Sequence, residues 1–322
     1  MDATRLSDRV LVVTGDYFQE HMTAIDTGDG LVVIDTLATV AATRAALAHV
    51  RAFSRAPVRL LVNTHLDVDH VAGNHLFDGA TIIAHANGRR HLDEHVFDDP
   101  ASEREIRDFV AGLEAAAAGG SPDERLPAYV AGYRTLLGGF GNYVFRPPTV
   151  FVAGGSTVAL GTTVVELHHA GPAHTDADLV VWIPAERLLL AGDVVVGEGF
   201  APVAHAMHGG SVSGLAAAVR QLQRLAGGDA RIVPGHGAVG GVALLQHQLG
   251  YLDALIGSVR EARGQGLSLD EARGTVQVDA FSTCLLYDLV HPGHVELAWK
   301  EIGEVSGRAS AGPDAAAGSP TR

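Results

Sequence analysis

Short runs of β-branched and leucine residues, each bounded by turn-forming residues, recur along the first quarter of the chain and are typical of strands. They occupy residues 10–14, 22–26, 31–35, 58–63 and 80–84. The sequence TGDG at 27–30 favours a hairpin turn between the second and third runs. An alanine-rich segment, 38–53, has a helical pattern and leads into the fourth run. The pattern predicts an antiparallel meander followed by alternating strands and helices, as in α/β proteins.

The second half of the chain repeats this pattern of short apolar runs. Strands are predicted at 150–152, 157–160, 163–168, 179–183, 188–190 and 231–233. Amphipathic segments predict helices at 212–225, 242–262 and 295–305. Two β-rich halves, each followed by helices, indicate a sandwich of two sheets with the helices outside.

Residues 87–146 differ in kind from the strands on either side of them. Through residue 138 they have a helical pattern with many charges and a break at 119–122, so we predict an inserted helical cap. Aromatic residues cluster near its end, at Tyr129, Tyr133, Phe140, Tyr143 and Phe145. These rings either pack the insert onto the sheet or line a substrate pocket.

Composition describes a globular chain. With 322 residues, 47% of them hydrophobic, the chain can build a large core, and we predict a single domain over 1–305. Residues 306–322 contain few large apolar groups and predict a disordered tail. The first residues lack the apolar core of a secretory signal, and no apolar run reaches the roughly 18 residues of a membrane span. We therefore expect a cytoplasmic protein with no membrane partner.

Charge and cysteine content narrow the possible chemistry. The net charge of -14 and only 23 lysines and arginines argue against a nucleic-acid partner, because phosphate binding needs basic surface. A single cysteine, Cys284, excludes an internal disulfide framework and a thiolate-rich zinc site. With 17 histidines in the chain, imidazole and carboxylate groups are left as the metal ligands to expect.

The densest chemistry lies in the sequence THLDVDH at 64–70, which holds four side chains able to bind a metal. His65 and Asp67 follow a predicted strand and share a face, since positions i and i+2 of an extended segment do so. Asp69 and His70 open a predicted helix, 71–77, and can serve a second site. A divalent cation would remove the cost of burying such groups without partners. The alternative is a solvated turn rich in histidine and aspartate.

Three other strand ends carry a histidine or an aspartate. His174 lies in the turn-rich loop 170–178, Asp193 follows the strand at 188–190, and His236 lies in the sequence PGHG after the strand at 231–233. Ligands often lie on loops that a rigid scaffold positions. Each residue alone is more often structural, but together they indicate one metal site.

The remaining histidines allow weaker interpretations. His91 and His95 have the i, i+4 spacing of a metal-binding helix but lack the glutamate that a zincin motif places after its first histidine, so we interpret them as a solvated face. His205 and His208, in the loop that follows Asp193, either line the cleft or lie at the surface. Packing or surface positions are expected for His247, His291 and His294.

These motifs, taken in order, resemble the metallo-β-lactamase superfamily of metallohydrolases. The resemblance runs from about residue 10 to the helices after 240 and rests on a strand ending in Asp35, the 65–70 stretch, His174, Asp193 and the PGHG sequence at His236. It implies an α/β fold, the αβ/βα sandwich of two mixed β-sheets with outer helices, and two divalent metal ions in a cleft at one edge.

The resemblance also implies a role for each site residue. His65, Asp67 and His174 would bind the first metal, and we call them the first ligand group. Asp69, His70 and His236, the second ligand group, would bind the second metal. Asp193 would bridge the two metals, Asp35 would support the site from beneath, and Asp69 would also act catalytically by orienting the nucleophile or accepting its proton.

Asp67 departs from the family's commonest pattern, His-x-His-x-Asp-His, by replacing the second histidine. The added carboxylate should lower the Lewis acidity of the first metal and raise the pKa of its water. It also hardens the ligand set, so zinc is the first expectation and iron or manganese the alternatives. A carboxylate here, usually glutamate, resembles the diiron branch of the superfamily, the flavodiiron proteins and certain oxygenases.

The function that the resemblance implies is metal-dependent hydrolysis. A metal-bridging hydroxide would attack the carbonyl of an ester, thioester, lactone or amide in a small-molecule or carrier-bound acyl substrate. The sequences LVVIDT at 31–36, GPAHT at 171–175 and LVVWIP at 179–184 are similar to those of actinobacterial polyketide cyclases and thioesterases. A diiron oxygenase or redox protein of the same fold and a non-catalytic binding protein are the alternatives.

Overall fold

A computed structural model of the chain describes residues 1–95, 100–119, 123–139 and 143–310. It contains a seven-stranded sheet in which the strands follow one another in chain order. Its members are β1 Asp2–Ser7, β2 Val10–Thr14, β3 His21–Asp26, β4 Leu31–Ile34, β5 Val58–Val62, β6 Thr81–His85 and β7 Val150–Val152. Strands β1 to β4 pair antiparallel and β4 to β7 pair parallel, so the sheet is mixed.

The second sheet has five strands in the order β12-β11-β10-β9-β8. These are β8 Ser156–Leu160, β9 Thr163–His169, β10 Leu179–Ile183, β11 Leu188–Leu190 and β12 Arg231–Val233. Only β11 and β12 pair parallel, and the other neighbours are antiparallel. The predicted fold class, two mixed sheets in an α/β sandwich, is confirmed.

The central strands β4, β10 and β11 are buried on both faces, which explains why they are continuous apolar runs in the sequence. Alternate residues of β2 illustrate the arrangement, since Val12 packs between the two sheets and Val13 packs under the helix α1, Val40–Phe53. Three long helices cover the outer face of the second sheet: α5 Val212–Ala226, α6 Ala243–Gly264 and α8 Tyr287–Ser310. The short helix α7, Leu269–Thr275, joins the last two.

The insert is helical, as expected. It comprises a 3₁₀ segment at Ala86–His95 and the helices α3, Pro100–Ala118, and α4, Leu126–Gly139. Tyr129 and Tyr133 on α4 pack edge-on against Phe18, with ring centroids 4.8 and 4.9 Å apart from it. These two rings therefore attach the cap to the sandwich, whereas Phe140 lies outside the described residues.

The structure corrects several element boundaries. In place of a helix at 71–77 it has α2, Val68–Val71, and a separate 3₁₀ turn at Asn74–Leu76, so Asp69 and His70 lie inside the helix. Neither β1 nor α7 was predicted. Helix α8 begins at Tyr287 instead of 295 and extends to Ser310. It continues through Pro292 and Gly293, although these residues are typical of a break. The rest of the predicted tail, 311–322, lies outside the described residues.

None of the helices in the described ranges combines the length and the apolar character needed to cross a bilayer.

Candidate metal centre

The side chains predicted to bind metals converge on one edge of the sandwich. They are His65 and Asp67 after β5, Asp69 and His70 in α2, His174 after β9, Asp193 after β11 and His236 after β12. The structure thus brings together every residue of the two ligand groups and Asp193.

Glycines allow the close approach of the segments that carry these residues. Gly235, directly before His236, is required because a Cβ at that position would overlap the Asp193 carboxylate. Gly237, on the other side of the histidine, has a φ of 91°, a conformation that L-residues rarely adopt. The sequence PGHG therefore has a steric reason in addition to its histidine.

The second ligand group is tightly spaced around Asp193. His70 Nε2 lies 3.2 Å from Asp193 Oδ1, and His236 Nε2 lies 3.3 Å from Asp193 Oδ2. Asp69 Oδ2 is 3.3 Å from the same His236 nitrogen, and the two Nε2 atoms are 3.5 Å apart. These donors surround one position.

The first ligand group lies on the other side of Asp193. His174 Nε2 is 3.2 Å from Asp67 Oδ2, and His65 Nε2 is 3.8 Å from the same oxygen. Asp193 Oδ2 lies 3.8 Å from His174 Nε2. Asp193 therefore contacts both groups, as a bridging carboxylate would.

The outer ring nitrogen of each histidine in the two groups is held by a hydrogen-bond partner. Nδ1 lies 2.8 to 3.1 Å from Thr64 Oγ1 for His65, Asp35 Oδ2 for His70, the Val203 carbonyl for His174 and the Phe18 carbonyl for His236. Such partners fix ring orientation and tautomer in metal sites. As a result, all four Nε2 atoms face inward.

Asp35 lies beneath the site, the position that the family resemblance implies for it. Its carboxylate accepts hydrogen bonds from the backbone N–H and the hydroxyl of Thr64, both at 2.7 Å, and contacts His70. Burial raises the pKa of Asp35, and the interaction with His70 acts in the opposite direction. Through Thr64 and directly, this carboxylate orients one histidine of each ligand group.

The donor set fits divalent cations. Donors around a tetrahedral ion with bonds of 2.0–2.2 Å lie roughly 3.3 Å apart, and five of the spacings in the site, 3.2 to 3.5 Å, approximate this value. Charged hydrogen bonds are shorter, at about 2.7–2.9 Å. In the described part of the chain, His65 Nε2 and Asp193 Oδ1 are buried without a hydrogen bond. A metal ion bound between these imidazole and carboxylate groups would fit their spacing and would satisfy the two unpaired atoms.

Burial and neighbouring charges divide the histidines by protonation. Burial lowers the pKa of His65 to about 3, so this ring is neutral. Burial opposes protonation of His70 and His236 too, but the Asp193 and Asp69 carboxylates outweigh it and raise both pKa values well above the usual range. Without a cation, protons bound to His70 and His236 therefore supply the positive charge beside these carboxylates.

Two histidines outside the predicted ligand set also reach the site. His205 Nδ1 lies 3.4 Å from Asp67 Oδ2, and His208 Nδ1 lies 3.1 Å from Asp67 Oδ1. Their only sequence signal was a position in the loop after Asp193. The solvated-face interpretation of His91 was wrong, because its ring is buried and its Nε2 lies 2.9 Å from Asp176 Oδ1.

An apolar cavity of about 420 Å³ lies beside the ligands, between α1, α2 and α4. None of the seven predicted ligands lines it, but Val68, which stands between Asp67 and Asp69 in the chain, does. The other walls come from Ala38, Thr39, Val40, Ala41, Ala72, His75, Thr135, Leu136, Gly138, Gly139 and Tyr143.

Comparison with known families places this geometry in context. Residues 15–236 match the model of the metallo-beta-lactamase superfamily. A linear primary-alkylsulfatase from Pseudomonas sp. (strain ATCC 19151) is 24% identical over 223 residues, which are 66% of this chain and 40% of that protein. The chain therefore spans about two fifths of the length of this curated relative.

Two solved structures show the same fold at low identity. A metallo-beta-lactamase from Pontibacter korlensis superimposes with a TM-score of 0.56 at 20% identity, covering 78% of this chain and 98% of that one. The sec-alkylsulfatase Pisa1 from Pseudomonas sp. superimposes with a TM-score of 0.68 at 14% identity, covering 93% of this chain and 50% of that one.

Proposed function

The chain belongs to the metallo-β-lactamase superfamily, and we propose that it is a binuclear metallohydrolase that cleaves esters or thioesters of apolar acyl groups. The observation that carries the proposal is the convergence of three inward-facing imidazoles, those of His70, His174 and His236, on the carboxylate of Asp193, with His65 Nε2 and Asp193 Oδ1 buried without a hydrogen bond. All seven positions hold residues able to bind a metal, which a binding protein without a metal would not need.

The two ligand groups would each hold one divalent cation, with Asp193 between them. When bound, the cations supply Lewis acidity, which makes a water nucleophilic near neutral pH and stabilises an oxyanion. Zinc suits this histidine-rich set, whereas Asp67 keeps iron and manganese as alternatives. A diiron redox protein of the same fold would be recognised by the visible absorption of its iron pair.

Asp69 is the residue of the site that we assign to orienting the attacking water. Its Oδ2 is held 3.3 Å from His236 Nε2. Burial acts to raise the pKa of Asp69, but His70 and His236 lower it below its usual value, so the carboxylate is ionised at neutral pH. An ionised carboxylate in this position accepts a hydrogen bond from water and fixes the direction of its lone pair.

The apolar cavity beside α2 supports an acyl substrate. Its volume of about 420 Å³ lies within the usual 300–1,000 Å³ of ligand pockets. Val68 lines it and stands between Asp67 and Asp69 in the sequence, so an acyl chain in this cavity would lie beside the segment that carries these ligands. Carrier-bound thioesters, including those of polyketide pathways, belong to the same substrate class.

Sulfate esters are a second candidate substrate. The superposition on the sec-alkylsulfatase covers more of this chain than the superposition on the metallo-beta-lactamase, 93% against 78%. The lining of the cavity favours a carbonyl ester of an apolar acid, however. Among the described residues that line it there is no lysine or arginine that would bind a sulfate.

The test compares substrates on the zinc-loaded protein. We expect hydrolysis of p-nitrophenyl acyl esters and of acyl-N-acetylcysteamine thioesters, with kcat/KM increasing from acetyl to octanoyl. Little turnover is expected of p-nitrophenyl sulfate or dodecyl sulfate. The variant Asp193→Asn is the control and should lose activity by two orders of magnitude or more. Turnover of the sulfates alone would transfer the proposal to sulfate esters, and turnover of none of these substrates by metal-loaded protein would contradict it.

A further inference from the structure

We infer that His205 is an additional ligand of the first metal and supplies the imidazole that Asp67 replaces. The commonest family pattern has a histidine at the position of Asp67, and this chain has a carboxylate there. His205 approaches that carboxylate from a different loop. The first metal would then have three imidazoles, from His65, His174 and His205, together with Asp67 and the bridging Asp193.

The spacing of donor atoms supports this assignment. His205 Nδ1, His174 Nε2 and a carboxylate oxygen of Asp67 all lie within 4.8 Å of one another. The individual separations from Asp67 Oδ2 are 3.4 Å for His205 and 3.2 Å for His174. Both are close to the 3.2 and 3.3 Å that separate donors of the second ligand group from Asp193.

The hydrogen-bonding state of His205 also points to a metal. Although 39% of its side chain is exposed, the Nδ1 atom is buried, and within the described ranges it has only the long contact of 3.4 Å with Asp67 Oδ2 and no hydrogen bond of good geometry. His65 Nε2, 3.8 Å from the same oxygen, is also buried without a hydrogen bond. Two buried imidazole nitrogens beside one carboxylate oxygen leave a position that a cation would occupy, since unsatisfied buried polar groups are costly.

The backbone holds His205 in this position without help from a metal. The His205 N–H donates to the His174 carbonyl at 2.7 Å, and two further bonds, from Asp176 to His208 and from Ser211 to Ala173, tie the same loops together. On its other side the loop is fixed by the Ala204 N–H, which donates to His294 Nε2 at 3.1 Å. The site is thus preorganised.

His208 has a different role from His205. Its Nδ1 lies 3.1 Å from Asp67 Oδ1, whereas His65, His174 and His205 contact Oδ2, and donation to Oδ1 would orient the carboxylate. We therefore assign His208 as a positioning residue for Asp67. This difference gives the proposal a matched comparison within one loop.

The chemical consequence is a softer first site than the sequence motif suggests. A neutral imidazole leaves the charge of the centre unchanged but restores the number of nitrogen ligands that zinc prefers. Asp67 alone moves the site towards iron or manganese, and His205 counteracts this. The inference predicts selectivity for Zn²⁺ over Mn²⁺ that depends on residue 205.

The test measures metal binding and needs no substrate, so its outcome is independent of the proposed activity. Apo protein is titrated with Zn²⁺ against a chromophoric chelator, and His236→Ala identifies which binding constant belongs to the second site. We expect His205→Ala to weaken the first site by more than the 10–100-fold typical of outer partners, and His208→Ala to remain within that range. His49→Ala, an exposed histidine on α1, should bind as the wild type does.

A second background separates a ligand from a structural residue. In Asp67→His, the imidazole at 67 should make His205 redundant. Adding His205→Ala in this background should lower the Zn²⁺ affinity of the first site less than about threefold, and a double-mutant cycle measures the difference from the wild-type background as a coupling. The visible spectrum of the Co²⁺-loaded protein, which reports coordination number, should change in His205→Ala and not in His208→Ala.

Two results would overturn the inference. One is wild-type Zn²⁺ affinity in His205→Ala, and the other is an equal loss of affinity in the wild-type and Asp67→His backgrounds. Thermal unfolding in the presence of a chelator checks that metal-free His205→Ala is folded. If it is not, the titration uses His205→Asn, which keeps side-chain bulk without the imidazole.

Discussion

At the scale of single residues, the site depends on atoms that never touch the reaction. Thr64 is the clearest case, because its hydroxyl lies between the Asp35 carboxylate and His65 Nδ1 at 2.7 and 3.0 Å. One hydroxyl thereby transmits the position of a buried carboxylate to a histidine of the first ligand group. Outer partners of this kind tune both ligand orientation and metal affinity.

Replacing Thr64 by valine tests this arrangement while keeping the shape of the side chain. We expect Thr64→Val to weaken Zn²⁺ binding at the first site by about 10–100-fold and to cost about 1–3 kcal/mol of stability, since Asp35 loses a buried partner. Competition with a chelator and chemical unfolding measure the two effects. Thr157→Val, at an exposed position of β8, is the control. Unchanged metal affinity in Thr64→Val would contradict the assigned role.

Protonation of the histidines predicts how metal affinity depends on pH. Burial opposes protonation of His174, but Asp67 and Asp193 raise its pKa to about 10, and His70 and His236 are also raised. Because these folded-state pKa values lie above 6.5, a cation must displace protons at neutral pH, so affinity should increase as pH rises from 6 to 9. Calorimetry in buffers of different ionisation enthalpy should show net proton release on Zn²⁺ binding. Proton uptake, or none, would contradict it.

The residue pattern predicted much of the site before any geometry was known. The apolar runs show where strands end, and the histidines and aspartates that follow these runs can therefore be recognised in the sequence. His205 and His208 were not assigned, because a loop without periodicity does not show which way its side chains point. His91 was misinterpreted for a related reason, since its partner Asp176 is distant in the chain and only the fold brings them together.

At the scale of elements, the loop that carries His205 is the least predictable part and one of the most constrained. It packs backbone to backbone against the loop of His174, and Gly210 makes this contact possible. A Cβ at Gly210 would overlap the His174 carbonyl. The glycine thus has a geometric reason to lie there.

We expect Gly210→Ala to separate the two loops. The displaced backbone should lower the free energy of unfolding by about 1–3 kcal/mol and weaken the first metal site more than the second. Gly228→Ala is the matched control, because no atom lies within 4 Å of a Cβ built there. Thermal melting and Zn²⁺ titration test both variants. Equal behaviour of the two variants would show that the loop contact is unimportant to the site.

Helices α1 and α4 bound the cavity assigned to the acyl chain. Ala41 lines it from an exposed position of α1, so a larger side chain there should narrow the cavity without disturbing the core. We expect Ala41→Phe to lower kcat/KM for octanoyl esters at least tenfold and to leave acetyl esters within twofold. Ala45→Phe, one turn along and outside the cavity, should change neither. A uniform loss for all chain lengths would argue against an acyl cavity.

Element prediction was most reliable for strands that are buried on both faces, although the half-exposed strand β8 was predicted as well. Strands such as β10, with every residue buried, are unmistakable apolar runs. Strand β1 has a mostly exposed, polar sequence and forms because β2 offers it an edge. The stretch after His70 was predicted as one helix, but Gly73 and Asn74 divide it, and the Asn74 amide pairs with Asn63 in the interior.

At the scale of the whole molecule, two sheets place distant segments of the chain at one edge. The first ligand group and the second ligand group come from both sheets, so the site exists only when the sandwich is closed. The order of motifs along the chain allowed this arrangement to be predicted through a family resemblance, which the match over residues 15–236 confirms. Substrate and metal identity are not encoded in the same way, because they depend on the cap and on loop geometry.

The central claim is that this edge of the sandwich holds two divalent cations. The most direct measurement is metal content, by inductively coupled plasma mass spectrometry, of full-length protein purified without added metal and again after equilibration with Zn²⁺ and desalting. The account predicts two metal ions per chain in the wild type and a loss of bound metal in Asp193→Ala. A folded wild-type protein that contains no metal and retains none after exposure to Zn²⁺ would contradict the account.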